Sequence, residues 1–332
     1  MKQILFTEVG KAELVETPIR ALGANDVLIR TAVSTISCGT ERANLIGLSN
    51  TSGDGGTPHY PVALGYSTAG TVEEIGSAVT TVKPGDRVAM YWSVHATYNV
   101  LPEANLIKLP DNVSFASGSL IHIAAFPLAA IRKTRLEIGE SMLVIGLGIL
   151  GQFAVTLAHI AGAAPVIAAD PNPDRRAEAL AFGADYALDP LAPDFAETVK
   201  KLTGGGAKTA VEVTGVGAGL NEVLDAMAPF GRVALLGCTR DPNFTIDYYQ
   251  KVHKPGITLI GAHTMARPGV DSRPGFFTVR DDMTALAKLA SLGRIDFEGR
   301  VKETHTPEEA PEVYGRLIND PNFPIFVQFK WQ

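Results

Sequence analysis

Apolar runs and amphipathic runs alternate through the middle of the chain, from about residue 126 to residue 265. The apolar runs predict buried strands at 141–146, 164–169, 208–214, 231–237 and 256–262. The helical periodicity between them predicts helices at 149–162, 174–182, 193–202 and 217–228. This alternation predicts an α/β fold with a doubly wound parallel sheet, in which ligands bind at the carboxyl ends of the strands.

The two ends of the chain follow a different pattern. Before residue 126, short apolar runs separated by turns rich in glycine and proline predict strands at Val27–Val33, Ser67–Ile75 and Asp86–Tyr91. Closely spaced strands of this kind favour a small barrel or sandwich. After residue 265 the alternation stops, and we predict a helix at 280–292 followed by a polar-rich tail with an apolar finish.

A glycine-rich turn joins the first predicted strand of the middle region to its helix. Gly146, Gly148 and Gly151 have the spacing Gly-x-Gly-x-x-Gly. The first glycine permits a tight turn, the second lets the backbone approach a pyrophosphate, and the third lets the helix pack close to the strand. Asp170 ends the next strand, where a carboxylate hydrogen-bonds a ribose 2′-hydroxyl. A turn that serves only helix packing would leave Asp170 unexplained, so we predict a dinucleotide site.

The predicted cofactor is NAD(H), because a carboxylate at Asp170 repels the 2′-phosphate of NADP. Arg175 and Arg176 follow in the next loop, where they either receive a phosphate or open the helix as solvated side chains. Strand ends elsewhere in the sheet add cofactor contacts. The predicted cofactor-binding residues are Gly146, Leu147, Gly148, Ile149, Leu150, Gly151, Asp170, Arg175, Thr214 and Gly237.

The composition limits the classes of partner. The 332 residues suggest about two domains. A net charge of −6 without a basic run argues against nucleic acid. The acidic start argues against a signal peptide, and no apolar run is long enough to cross a membrane. With only Cys38 and Cys238, no disulfide framework is expected, and a cytoplasmic location is the simplest expectation.

Motifs along the whole chain resemble the medium-chain dehydrogenase/reductase superfamily, the zinc alcohol dehydrogenases. The motifs besides the glycine turn are Asp26–Arg30, Ser37–Glu41, Pro61–Tyr66, Gly70–Gly76, Val82–Val88, Val211–Gly215 and Gly231–Gly237. The resemblance implies a GroES-like β-rich catalytic domain at 1–125 and 266–332, with a Rossmann NAD-binding domain at 126–265 inserted in it. It also implies a homodimer joined at the strand Thr258–Ala262. Gly-Thr-Glu at 39–41 and Gly65-Tyr66 further resemble the subgroup of the bacteriochlorophyllide dehydrogenase.

The resemblance also places the family's catalytic zinc ligands on this sequence. A catalytic zinc takes three protein ligands and leaves one open position. Cys38 stands at the first ligand position and His122 in the segment of the third, but Tyr66 replaces the histidine at the second. Phenols ionise only near pH 10, and two ligands hold zinc weakly. We therefore expect no catalytic zinc, with Cys38 and His122 as its ligands if one binds. Two cysteines also exclude the family's structural four-cysteine zinc lobe.

A zinc-independent site follows as a hypothesis. Tyr66 presents a phenol that can donate to a carbonyl oxygen during hydride transfer, and His122 can supply or reset the proton. Thr40 matches the family's substrate-contacting hydroxyl, and Trp92 and His95 are predicted to line the substrate pocket. Three of the candidate residues also have a plain structural interpretation: Tyr66 as packing, Cys38 as a small buried hydrophobe, and His122 as a hydrogen-bonded histidine.

The predicted function is interconversion of a neutral, medium-sized alcohol and a carbonyl compound. A quinone or enoyl reductase of the same superfamily is one alternative, although the tight glycine turn and Cys38 argue against it. A non-catalytic NAD(H)-binding redox sensor is the other alternative, because the zinc ligand set is incomplete.

Overall fold

The computed structural model describes residues 1–51 and 55–332. The chain divides into two units, one formed by Met1–Ile123 with Val279–Gln332 and the other by Ala124–Thr278. No helix among the described residues is long and apolar enough to cross a membrane.

The second unit extends to Thr278, beyond the boundary expected at residue 265, and so includes 266–278. Within that unit the guanidinium of Arg132 lies 3.6 Å from the ring centroid of Phe277. The ammonium of Lys133 donates to the carbonyl of Ala266. These contacts join residues far apart in the sequence, so the pattern alone gave no sign of them.

The first unit begins with strands separated by short helices. In chain order its elements are β1 (Lys2–Glu8), β2 (Lys11–Glu16), β3 (Asp26–Thr35), α1 (Cys38–Leu45), β4 (Ser67–Ile75), β5 (Arg87–Tyr91), β6 (Tyr98–Pro102), β7 (Leu106–Lys108) and α2 (Phe115–Gly118). The three strands predicted in this region are confirmed as β3, β4 and β5.

Helix α3 (Ile121–Thr134) begins in the first unit and continues into the second. The second unit then alternates strands and helices, as predicted. Its elements are β8 (Met142–Ile145), α4 (Ile149–Ile160), β9 (Val166–Ala169), α5 (Pro173–Ala181), β10 (Tyr186–Leu188), α6 (Phe195–Thr203), β11 (Ala207–Glu212), α7 (Gly217–Ala226), β12 (Met227–Leu235) and β13 (Thr258–Gly261). Strand β10 was not predicted, because three residues are too few to show a period.

The strands of the second unit form a parallel sheet in the order β10-β9-β8-β11-β12-β13. The order reverses between β8 and β11, which is where a doubly wound sheet binds its ligand. Every residue of β8 and β9 is buried, as expected for strands covered by helices on both faces. The predicted α/β fold with a doubly wound parallel sheet is confirmed.

The chain then returns to the first unit. Its last elements are α8 (Val279–Ser291), β14 (Glu303–His305), α9 (Ala310–Asn319) and β15 (Val327–Lys330). Short turns of 3₁₀ or π helix lie at Glu103–Asn105, Tyr249–His253, Glu298–Arg300 and Pro307–Glu309.

Strand β15 joins the two parts of the first unit, because it pairs with β3 through Gln328 and Thr35. The resulting sheet has the order β14-β15-β3-β4-β5-β7, with β6 paired to β3. Beneath it lies an aromatic core in which the ring of Tyr314 meets Phe6 at 4.9 Å and Phe329 at 5.9 Å between centroids. Residues from both chain ends therefore share this buried cluster of the first unit.

Candidate functional site

The glycine turn of the second unit has the geometry that its sequence demands. Gly146 has φ +90°, a conformation that favours glycine. A Cβ on Gly151 would overlap the carbonyl oxygen of Gly146, so the start of α4 packs against the turn only without a side chain. Gly148 is the N-cap of α4 and makes no side-chain cap. A Cβ on Gly148 would have no neighbour within 4 Å, so the backbone there is open to approach.

The side chains of the turn divide between core and surface. Leu147 and Ile149 are buried, at 0% and 5% exposure, and Leu150 is half-buried. What the turn offers a ligand is the N–H groups of the first turn of α4 and the positive end of that helix, a combination that binds anions such as a pyrophosphate.

Asp170 is hydrogen-bonded to the turn itself. Its carboxylate accepts the N–H of Leu147 at 2.7 Å and the N–H of Asn172 at 2.8 Å, and the side chain is 5% exposed. Arg175 lies 3.9 Å from the same carboxylate, while Arg176 donates to the backbone carbonyl of Asp170. Negative charge is therefore fixed at the carboxyl end of β9, next to the predicted phosphate turn.

Thr214 and Gly237 lie at the ends of the neighbouring strands. A Cβ on Gly146 would come within 3.0 Å of Thr214, and one on Gly237 would overlap the backbone nitrogen of Gly215. The segment after β11 is therefore packed against the glycine turn, and the segment after β12 is packed against the segment after β11.

Glu212 organises this region and was not predicted. Its carboxylate, 3% exposed, accepts the N–H groups of Thr214 at 2.7 Å and Gly215 at 3.1 Å, and also the hydroxyl of Thr214. Burial raises the pKa of Glu212, although the hydrogen bonds from Thr214 and Gly215 oppose the shift. The available sequence signal was an acid that ends a mostly buried strand. Three features together fit a dinucleotide: the open backbone at Gly148, the N–H groups at the start of α4 that no side chain caps, and the carboxylate at the end of β9.

In the first unit, Tyr66 lies at the centre of a polar and aromatic cluster. Its hydroxyl is 2.5 Å from the hydroxyl of Ser37, and its carbonyl accepts Nδ1–H of His122 at 2.7 Å. Gly65, with φ +105°, precedes it, and a Cβ there would overlap the ring of His95. Glycine is therefore required at the turn that presents Tyr66.

Aromatic rings surround His122, which is fully buried. Tyr66 and Trp92 meet it edge-on, at 5.4 and 5.1 Å between centroids, and Tyr91 lies at 5.5 Å. Trp92 is 38% exposed and has φ +58°, a strained conformation that is common at functional sites. Because Nδ1 donates to a carbonyl, Nε2 is the basic nitrogen of the ring. Of the predicted residues, Tyr66, His122 and Trp92 are brought together.

Cys38 and Thr40 lie on α1. The thiol of Cys38 points toward the carbonyls of Pro324 and Ile325, at 3.7 and 3.8 Å, and packs against the core of the unit. Thr40 is half-buried, and its carbonyl accepts the side-chain amide of Asn44 at 2.9 Å. Cys38 therefore has the surroundings of a small core residue.

His95 does not line a pocket, which corrects that prediction. It is 1% exposed, with Nδ1 2.7 Å from the hydroxyl of Ser34 and Nε2 3.2 Å from the carboxylate of Glu41. Both ring nitrogens are engaged in the interior, so the side chain offers no face to a ligand.

Glu41 is the buried acid that this interior network surrounds. Its carboxylate also accepts the hydroxyl of Tyr314 at 2.6 Å and the backbone N–H of Ser37 at 2.8 Å. Burial, and then the charge of Glu41, raise the pKa of Tyr314 well above its usual range. Tyr314 therefore stays a neutral donor.

The residues at the zinc positions do not fit a catalytic zinc. Among residues 1–51 and 55–332, no three His, Cys, Asp or Glu side chains are placed to hold a metal ion together. Tyr66 stands at the central ligand position with its hydroxyl on Ser37, and the thiol of Cys38 faces backbone carbonyls. A three-ligand tetrahedral site needs a different donor set.

Comparisons with known proteins agree with this architecture. A family described as zinc-binding dehydrogenase matches residues 150–272, and the alcohol dehydrogenase GroES-like domain matches residues 23–111. The chain is 27% identical to D-guloside 3-dehydrogenase of Shigella flexneri over 96% of both chains. It is 30% identical to L-threonine 3-dehydrogenase of Pyrococcus horikoshii over 79% of this chain and 82% of the relative.

Solved structures share the fold across nearly the whole chain. Galactitol-1-phosphate dehydrogenase from Escherichia coli superposes with a TM-score of 0.85 at 20% identity, covering 99% of this chain and 100% of that one. A zinc-binding dehydrogenase from Sinorhizobium meliloti, with a TM-score of 0.82 at 21% identity over 99% and 98% of the two chains, was determined with bound NADP. The chain therefore belongs to the medium-chain, zinc-type alcohol dehydrogenase superfamily.

Proposed function

We propose that this protein is an NAD(H)-dependent oxidoreductase that interconverts a neutral, medium-sized alcohol and its carbonyl compound without a catalytic zinc. The observation that carries the proposal is the phenol of Tyr66 at the family's central ligand position, hydrogen-bonded to Ser37 and packed on His122. The alcohol dehydrogenase family and the named relatives support the reaction class. A bound nicotinamide supplies or accepts the hydride.

The second unit holds the dinucleotide in this proposal. Backbone N–H groups at the start of α4 bind the pyrophosphate, and the missing side chain at Gly148 leaves room for it. The carboxylate of Asp170 hydrogen-bonds the adenosine ribose and disfavours a 2′-phosphate. Arg175, 3.9 Å from that carboxylate, is partly neutralised by it, and this weakens it as a phosphate receptor.

The first unit supplies the groups that polarise the substrate. Tyr66 donates its hydroxyl proton to the carbonyl oxygen as negative charge develops there, and takes a proton back in the oxidation direction. Thr40 adds a hydroxyl contact to the same oxygen. The hydrogen bond from Nδ1 to the Tyr66 carbonyl fixes the ring of His122. Its basic Nε2 can then supply a proton to the site or take one from it. The aromatic surroundings favour a neutral substrate of medium size.

The proposal predicts that Tyr66→Phe loses turnover but keeps the cofactor. Removing a general acid of this kind lowers kcat about 10²- to 10³-fold. The Kd for NADH, measured by fluorescence titration, stays within about twofold, because the dinucleotide contacts lie in the other unit. The rates are measured on a panel of glycosides, polyols and aromatic alcohols with their carbonyl counterparts.

Tyr91→Phe is the matched control. Its ring also contacts His122, but its hydroxyl donates to the carbonyl of Ala104 at 2.6 Å. We expect this variant to keep most of the activity. Equal kcat in Tyr66→Phe and wild type removes Tyr66 from the mechanism. About one zinc per chain after dialysis, by elemental analysis, overturns zinc independence. Binding of NADH without turnover of any carbonyl favours the sensor alternative.

A further inference from the structure

We propose that Ser37 is a positioning residue for Tyr66: its hydroxyl holds the phenol in place and donates to the phenolate that forms when Tyr66 gives up its proton. The inference rests on the proposed function of Tyr66. Sequence reasoning did not single out Ser37, because nothing in its own segment indicates a partner 29 residues away.

The first argument is that the hydroxyl of Ser37 does not cap the helix that Ser37 begins. Ser37 is the N-cap of α1, and a serine there normally accepts an N–H from the first turn of the helix. Here the side chain makes no cap hydrogen bond. The hydroxyl instead lies 2.5 Å from that of Tyr66. The hydroxyl of Ser37 therefore makes a hydrogen bond with the phenol of Tyr66 where an N-cap serine would stabilise α1.

The second argument is that the Ser37 backbone is fixed by a buried network. Its N–H donates to Glu41 at 2.8 Å, and Glu41 is fully buried. The same carboxylate accepts from Tyr314 at 2.6 Å and from Nε2 of His95 at 3.2 Å. Residues far apart in the sequence therefore fix the backbone of Ser37, and the hydroxyl of Ser37 contacts the phenol of Tyr66.

The direction of each hydrogen bond in this network is determined by its ends. The indole N–H of Trp331 only donates, and it lies 2.8 Å from the hydroxyl of Ser34. Ser34 then donates to Nδ1 of His95 at 2.7 Å, and Nε2–H donates to Glu41. Each bond in this network then has one donor and one acceptor, and the network fixes the Glu41 carboxylate that holds the backbone N–H of Ser37.

The third argument concerns the phenolate. A hydroxyl that donates to an anionic oxygen makes a bond about twice as strong as one between neutral groups. The contact therefore favours the ionised form of Tyr66 over the neutral form. When a substrate oxygen takes the Tyr66 proton, the Ser37 proton stays on Ser37 and is shared with the phenolate. No further acid or oxidant is required.

Ser37→Ala tests the proposal. We expect kcat for alcohol oxidation to fall about tenfold, with KM and the Kd for NADH unchanged, and the pH profile of kcat to move about one unit higher. An independent readout is the absorbance of tyrosinate as a function of pH. The difference between wild type and Tyr66→Phe isolates the ionisation of Tyr66 with Ser37 present. The difference between Ser37→Ala and the double variant Ser37→Ala/Tyr66→Phe isolates it without Ser37. Ionisation of Tyr66 should occur at higher pH without Ser37.

Ser141→Ala is the matched control. Ser141 is also 5% exposed, and its hydroxyl accepts the N–H of Lys208 at 3.0 Å in the second unit. We expect this variant to keep the wild-type profile, and Ser37→Thr, which retains a hydroxyl, to restore it. If Ser37→Ala does not fold, Ser37→Gly removes the same hydroxyl and keeps a favoured N-cap residue.

Unchanged ionisation of Tyr66 together with an unchanged pH profile in the folded variant overturns the proposal. The two proposals fail differently. An inactive Tyr66→Phe with a fully active Ser37→Ala refutes only the role of Ser37. A fully active Tyr66→Phe refutes the proposed function, and the absorbance titration then still reports whether Ser37 stabilises the phenolate.

Discussion

At the residue scale, polar side chains in this protein are defined by the partners that folding brings to them. His95 belongs to an aromatic segment that the sequence assigns to a pocket, yet it is buried between Ser34 and Glu41. Glu41 reaches Tyr314, 273 positions away. The identities of Tyr66 and Asp170 could be read from motifs, whereas the pairing of Ser37 with Tyr66 could not. Local patterns report which groups are present, and only the fold decides which of them meet.

Asp170 carries the cofactor preference at this scale. We predict that Asp170→Ala raises the ratio of NADP to NAD in kcat/KM about 10- to 100-fold, because it removes a charge that repels a 2′-phosphate and frees Arg175 beside it. Affinity for NAD falls as well, since the carboxylate also accepts the N–H of Leu147. Steady-state kinetics with both cofactors measure the ratio.

Asp185→Ala is a suitable control for that experiment. Its carboxylate accepts the N–H of Val166 at the start of β9, so it also braces this strand, but at the opposite end. We expect the cofactor ratio to be unchanged there. A ratio that also stays at the wild-type value in Asp170→Ala contradicts the assigned role.

At the scale of elements, long periodic segments were predictable and short ones were not. Apart from β10, the strands and helices of the second unit appear within a few residues of the predicted positions, because most of them carry an apolar period long enough to recognise. Strand β10 has three residues and no period of its own, and it forms by pairing with β9. Segment 266–278 falls in the second unit and not in the first, and the sequence could not show this because its contacts with Arg132 and Lys133 are long-range.

The junction of β8 and α4 allows stability and binding to be separated. Gly151→Ala places a Cβ against the carbonyl oxygen of Gly146, which cannot move without opening the turn. We predict a loss of about 2 kcal/mol or more in the free energy of unfolding, measured by urea denaturation. Gly148→Ala meets nothing within 4 Å, so the fold should keep its stability while NADH binding weakens at least tenfold.

The two glycine variants serve as controls for each other. Equal stability of Gly151→Ala and wild type would show that the turn relaxes easily. Undiminished NADH binding in Gly148→Ala would mean that the pyrophosphate does not approach this backbone.

At the scale of the whole molecule, we predict that two copies associate through the edge of the sheet in the second unit. The sheet ends at β13, which in the described chain pairs only with β12. Thr258, Leu259 and Gly261 of this strand are exposed, and the strand carries no charge or proline to block pairing. The family resemblance, the exposed edge and its apolar character all favour a symmetric dimer formed edge to edge.

Leu259→Lys tests this assembly. Leu259 is 37% exposed, so the substitution leaves the core intact and places two ammonium groups near each other across the symmetric contact. We predict that wild type is a dimer by light scattering at micromolar concentration and that the variant shifts toward the monomer. Leu191→Lys adds the same charge at a 74%-exposed position of the same unit and should stay dimeric. A monomeric wild type refutes the dimer. A dimeric Leu259→Lys means that the copies associate through a surface other than β13, since an edge without its apolar residue and with added charge cannot extend the sheet.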